Sequence, residues 1–171
     1  HGYPQYGTAP TDAFGRFSLP LDGGGTFILT YQKGGYLSAH RTVYVPWKAI
    51  VTAETPVLIA EDQAATLLIF DGNPQTVLTH RSTPVTDTFG SRSATLVFSG
   101  DNQAWAAEGS GQEQALTEIT VLATEYDRPE TMPAKLPPNS AFTWCAELSV
   151  EGARSVRFEK PVVLYVENFL G

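Results

Sequence analysis

The chain is short of most features that announce chemistry. It has one cysteine, Cys145, so no internal disulfide can form, and a single thiol leaves the redox compartment undecided. Its three histidines, His1, His40 and His80, stand far apart, with no H-E-x-x-H and no C-x-x-C to hold a metal. It also lacks positive charge. Eleven Lys and Arg, dispersed, against eighteen Asp and Glu give a net charge of −7. That balance argues against nucleic acid, whose phosphates require a concentrated basic face. No apolar run approaches the roughly 20 residues of a membrane-spanning helix, and no signal peptide is visible.

What is present is an ordinary folded composition. The 171 residues are 42% hydrophobic and 17% charged, enough for one or two domains with a real core. Twelve Pro and fifteen Gly, scattered along the chain, point to many short elements separated by turns, and so to an all-β fold. Thr11-Asp12-Ala13-Phe14-Gly15 reads as a tight turn, followed by a short strand from Arg16 to Leu19. After the turn Asp22-Gly23-Gly24-Gly25, residues 26–32 alternate with Phe27, Leu29 and Tyr31 on one side. Lys33-Gly34-Gly35 turns the chain, and residues 37–45 return with Leu37, Ala39, Val43 and Val45 on one side. Two hairpins on successive turns make a meander, closed by a last strand at Pro56-Val57-Leu58-Ile59.

This order and spacing carry a resemblance. The Asp turn, the Gly-rich turn, the aromatic strand and Lys33-Gly34-Gly35-Tyr36 resemble a transthyretin-like, carboxypeptidase-regulatory-like β-sandwich. The longer string is similar to the segment that precedes the tyrosine-aspartate (YD) repeats of bacterial Rhs-type and teneurin-like proteins. It runs from His1-Gly2-Tyr3-Pro4-Gln5-Tyr6-Gly7 through Asp22-Gly23-Gly24-Gly25 to Val43-Tyr44-Val45-Pro46-Trp47. The resemblance implies two consecutive β-sandwich-like modules, residues 1–61 and 62–171, with strands of the first lying upstream of His1. It also implies a piece of a large bacterial surface or secreted protein. The partners would then be neighbouring domains of the same polypeptide, above all a YD-repeat shell that the segment spaces or seals.

Within the second module, Ala65-Thr66-Leu67-Leu68-Ile69-Phe70 is a continuous apolar run, expected of a strand buried on both faces. Thr86-Asp87-Thr88-Phe89-Gly90 echoes the first Asp turn, either as an internal repeat or as one good turn used twice. Ala94 to Phe98 is a strand, and residues 100–114 form a long loop or a hairpin around Trp105. A strand covers residues 117–125, with a helical turn as the alternative over 113–119. Residues 128–140 hold four prolines and must cross the surface in extended form. Phe142, Trp144, Ala146, Leu148 and Val150 alternate toward a core, and residues 156–158 and 162–166 complete the sheet.

No catalytic residue and no cofactor are expected. Gly109-Ser110-Gly111 lacks the spacing of a nucleophile elbow. Cys145 on a strand reads as a small inert side chain. Asp12, Asp22 and Asp87 read as turn residues rather than calcium ligands. Trp47, beside Pro46, reads as a cap on the open end of the sandwich. Trp105, in a polar loop, is the candidate ligand-binding residue, and makes an adhesive or carbohydrate-binding module the alternative function. His1 is the one remote metal candidate. An amino-terminal His is the copper brace of polysaccharide monooxygenases, but beyond His1-Gly2-Tyr3 the chain shares no motif with them.

Overall fold

The computed structural model describes residues 7–21, 24–107 and 113–169. Among them no α-helix occurs; the regular elements are strands, with a single 3-10 turn at Pro129–Thr131. The fold is all-β.

Strands β1 (Gly25–Tyr31) and β2 (Ala39–Val45) pair antiparallel, with Gly25 opposite Val45 and Tyr31 opposite Ala39. The period-two pattern is obeyed: Phe27, Leu29 and Tyr31 are half-buried, and the residues between them are exposed. Gly35 takes φ +73 in the connecting turn, a conformation that favours glycine. Two expected strands are not formed. Residues 16–19 are extended but unpaired, and Phe17 only rests its ring edge-on against Tyr31 at 5.9 Å. Residues 56–59 form no strand; one isolated bridge, Tyr36 to Ala60, follows them, flanked by Leu37 N–H to Ile59 O and Glu61 N–H to Gly35 O. Pro20 and Pro56 bound these two short runs, and a proline has no N–H to give to a ladder. One hairpin therefore stands where two were expected.

The rest of the chain is built from three three-stranded antiparallel sheets. β3 (Thr66–Ile69), β10 (Glu118–Glu125) and β11 (Ala146–Val150) form one, in the order β11-β10-β3. β4 (Val77–Arg81), β7 (Ala94–Ser99) and β13 (Val163–Val166) form the second, in the order β13-β7-β4. β8 (Ala104–Ala107), β9 (Glu113–Leu116) and β12 (Val156–Phe158) form the third, in the order β12-β8-β9. β5 (Val85–Asp87) and β6 (Gly90–Arg92) add a short ribbon. All three sheets supply the core: Leu68, Ile119 and Val121 from the first, Leu96 and Phe98 from the second, and Ala104 from the third. Phe98 lies at its centre, with the rings of Phe70 and Phe158 at 6.5 and 5.5 Å. Gly100 is required where the chain leaves β7, because a Cβ there would lie 2.5 Å from Asp71 Oδ1 and 2.8 Å from Asn73 O.

Three expectations fail here. Residues 65–70 are not buried on both faces: Leu68 is in the core, while Leu67 and Ile69 are 57% and 56% exposed. β3 is an edge strand, and among the described residues none covers its outer face at Leu67 and Ile69. The helical alternative over residues 113–119 gives way to β9 and the start of β10, broken at Thr117. The alternation of residues 142–150 is realised as a strand only from Ala146 onward, and Leu148 is 44% exposed on the sheet's edge.

The two Asp turns share one construction. Asp12 Oδ1 accepts from the N–H of Phe14, and Asp87 Oδ1 accepts from the N–H of Phe89, both at 2.8 Å. Each carboxylate then binds a following arginine, Arg16 or Arg92. Their settings differ, since the second turn closes the β5–β6 ribbon and the first joins no strands.

Candidate functional site

Trp105, the candidate ligand residue, lies on β8 rather than in an open loop, and is half-buried. It sits opposite Arg157 of β12 on one side and Ala115 of β9 on the other. The Arg157 guanidinium stacks over the indole at 4.1 Å and is held there by a two-pronged bond to Glu113, 3.0 and 2.6 Å. The arginine pulls the Glu113 carboxyl below the usual range. One face of the ring is therefore already occupied by a cation. His1 and Ser110 fall outside the described residues. Trp47 does not cap a core; it lies against the backbone of Gly24, where a Cβ would stand 2.8 Å from its ring, and is 76% exposed.

The most elaborate polar construction joins the hairpin to the proline-rich crossing. β2 places Arg41 on its inner face, opposite Leu29, where the guanidinium is almost wholly buried. Nη1 donates to the carbonyls of His40 at 2.8 Å and of Met132 and Pro133 at 3.4 Å, and Nη2 donates to that of Glu130 at 3.3 Å. His40 N–H donates to Pro133 O at 2.6 Å. Glu54 ion-pairs with Arg41 and with Lys135 of the crossing. A segment that cannot be a strand thus finishes the edge of one, with Arg41 binding three of its carbonyls. The arginine broke an apolar alternation, which was the signal available in the sequence.

Beside this strap lies a cleft of about 250 Å³ lined by Tyr36, His40, Glu61, Tyr126, Glu147 and neighbouring residues. Tyr126 is buried and donates to Glu147 Oε2 at 3.5 Å; burial, then the Glu147 charge, push its phenol well up, so it stays neutral. Burial and then Glu147 also push up the Cys145 thiol, the condition of an unreactive cysteine. Among the described residues no group of three or more His, Cys, Asp or Glu is arranged to hold a metal.

A second polar cluster sits between β6 and β10. Arg92 and Glu125, both nearly fully buried, form an ion pair, and Asp87 Oδ2 binds the other Arg92 nitrogen at 2.9 Å. Trp144 Nε1–H donates to Glu125 Oε2 at 3.0 Å, and the Phe169 ring covers the guanidinium at 4.4 Å. Arg92 Nε and Glu125 Oε1 have no hydrogen-bond partner among the described residues, so the cluster is held by its ion pairs, the Trp144 bond and the Phe169 ring, and it ties the chain's last described residues to the β5–β6 ribbon. Its chemistry is structural.

Residues 1–58 match the family described as Teneurin TTR-like domain. Teneurin-3 of Danio rerio is 30% identical over 60 residues, which is 35% of this chain and 2% of that protein. Teneurin-3 of Mus musculus matches to the same extent. The chain therefore spans about 2% of the length of these curated relatives. No solved structure matches. Residues 1–58, a third of the chain, are thus similar to a teneurin TTR-like domain.

Proposed function

We propose that this chain is a non-enzymatic structural segment of a large surface or secreted bacterial protein of the YD-repeat class. In this reading residues 1–61 and 62–171 are two β-modules that space, or seal, the repeat shell, and their partners are neighbouring domains of the same polypeptide. The carrying observation is the TTR-like match over residues 1–58. The Arg41 strap supports it, because a buried guanidinium bonded to three carbonyls of the crossing makes a stiff joint between the modules. Sequencing the parent gene beyond Gly171 tests the class. YD repeats should follow, and a downstream polypeptide without them sinks the assignment.

The second reading is an adhesive or carbohydrate-binding module using Trp105. It rests on a partly buried indole backed by Arg157. Retention on immobilised glycans that disappears in Trp105→Ala would favour it; no retention on any glycan would remove it.

A further inference from the structure

We propose that the cleft beside the Arg41 strap binds an alkylammonium group, the head of a small amine or of a lysine side chain. The inference does not depend on the YD-repeat reading.

The cleft forms where several parts of the chain meet: the β1–β2 turn, the segment at Glu61, the end of the β10–β11 pair, and the proline-rich crossing. Backbone bonds fix that frame. Glu61 N–H donates to Gly35 O at 3.0 Å, Tyr126 N–H to Cys145 O at 2.9 Å, and His40 N–H to Pro133 O at 2.6 Å. A site framed in this way loses little binding energy to ordering itself. Its volume, about 250 Å³, decides the size of ligand. Sites for drug-sized molecules start at roughly 300 Å³, so this one suits a single side chain or a small molecule rather than an oligosaccharide.

Its chemistry decides the charge. Glu61 and Glu147 line the cleft, and no Lys or Arg does. Neither carboxylate forms an ion pair among the described residues. Tyr126 adds an independent observation. The residue is 2% exposed and lines the cleft, and its phenol bonds Glu147 Oε2 at 3.5 Å. That distance is the outer limit for such a bond, and buried polar groups are normally better satisfied. A donor set between phenol oxygen and carboxylate would bind both at ordinary distances.

An ammonium is donor-only, with three N–H groups to offer to the Tyr126 oxygen and the two carboxylates. Tyr36, Leu37 and Pro133 give its alkyl stem an apolar wall. Two cations of the hairpin stay outside. Lys33 stacks over the Tyr36 ring at 3.9 Å without lining the cleft, and Arg41 is turned into the strap.

Titration of the isotope-labelled 171-residue chain with n-butylammonium chloride, followed by amide NMR, tests this. Shifts should saturate in the low-millimolar range and centre on Leu37, Ser38, Tyr126 and Glu147. Butanol and butyrate match the stem without the positive charge and should not saturate. Glu147→Gln alters an exposed side chain and should weaken binding about tenfold, the lower bound for losing a charge-assisted bond. Tyr126→Phe should weaken it by a smaller factor at unchanged net charge. Glu118→Gln removes the same charge from β10 outside the cleft and should leave binding as it was. The amide spectra themselves check that each variant folds. Nα-acetyl-lysine methylamide then separates the two sources. Tighter binding than butylammonium at the same residues supports a lysine side chain, and weaker binding supports a free amine. Butylammonium that does not saturate overturns the proposal, and so does butanol binding equally well. Glu118→Gln weakening binding as much as Glu147→Gln, or Tyr126→Phe leaving it unchanged, would also overturn it, reducing the effect to diffuse attraction by the net charge of −7.

Discussion

His80 is among the largest side chains that the fold buries completely. It lies on β4 opposite Leu96 of β7 and is 1% exposed, with Nδ1 bonded to Thr66 Oγ1 at 2.9 Å and Nε2 without a hydrogen-bond partner among the described residues. Burial lowers its pKa, and the charge of Asp62 opposes that only in part. The unfolded chain therefore takes up the proton first, at about pH 6.5, while the folded chain resists it. Stability is whole above that pH and declines as pH falls below it. Urea midpoints should fall between pH 8 and pH 5.5, and His80→Gln should flatten that slope; an unchanged slope would place its origin elsewhere. Trp144 makes a second residue-scale case. Its indole is half-buried and bonded to a buried carboxylate, so Trp144→Ala should cost about 3 kcal/mol, near the low end for a truncated aromatic. Trp144→Phe keeps the ring but orphans Glu125 Oε2, and should still cost roughly 1–2 kcal/mol by urea denaturation.

At the scale of elements, period-two alternation located the strands, and chain position within a sheet decided what each strand buried. β7 shows the rule at its cleanest, with Ala94, Leu96 and Phe98 all in the core, because it is a central strand. β3 and β11 also carry apolar residues yet expose Leu67, Ile69 and Leu148, because they are the two edges of one sheet. A single sequence holds no record of which strand ends at an edge. The Asp turns were legible because their chemistry spans five or six residues, whereas the buried Arg92–Glu125 pair joins positions 33 apart and left no local trace. The Arg41 strap was hidden for the same reason. That buried pair carries its own prediction. Arg92→Ala would leave Glu125 charged and buried without its cation, at a cost of roughly 3–5 kcal/mol. Equilibrium unfolding showing less than about 1 kcal/mol would mean that water reaches the carboxylate.

At the scale of the molecule the chain is uneven. The buried members of the core cluster lie between Leu68 and Val121, with partly buried residues as far as Val162 packed on them, and among the described residues the hairpin and its turn supply only Leu37 and Ala39 to the buried apolar set. A two-stranded ribbon is marginal alone in water. It persists here because its inner face packs on Phe17 and because Arg41 fastens β2 to the crossing. We therefore expect amides of Phe27 to Tyr31 to exchange faster than those of Leu96 to Phe98 and Ile119 to Ala123, through an opening that leaves the core around Phe98 intact. Arg41 sets the size of that difference. Charge-assisted hydrogen bonds contribute roughly 1.5–3 kcal/mol, so Arg41→Ala should speed exchange in the hairpin about 10- to 100-fold and leave β7 and β10 unchanged. Arg41→Lys should recover little, because a single ammonium cannot reach carbonyls on both sides of the strap as a forked guanidinium does. Uniform acceleration in Arg41→Ala across both regions would show instead that hairpin and core open together, with the strap a shared part of one cooperative unit.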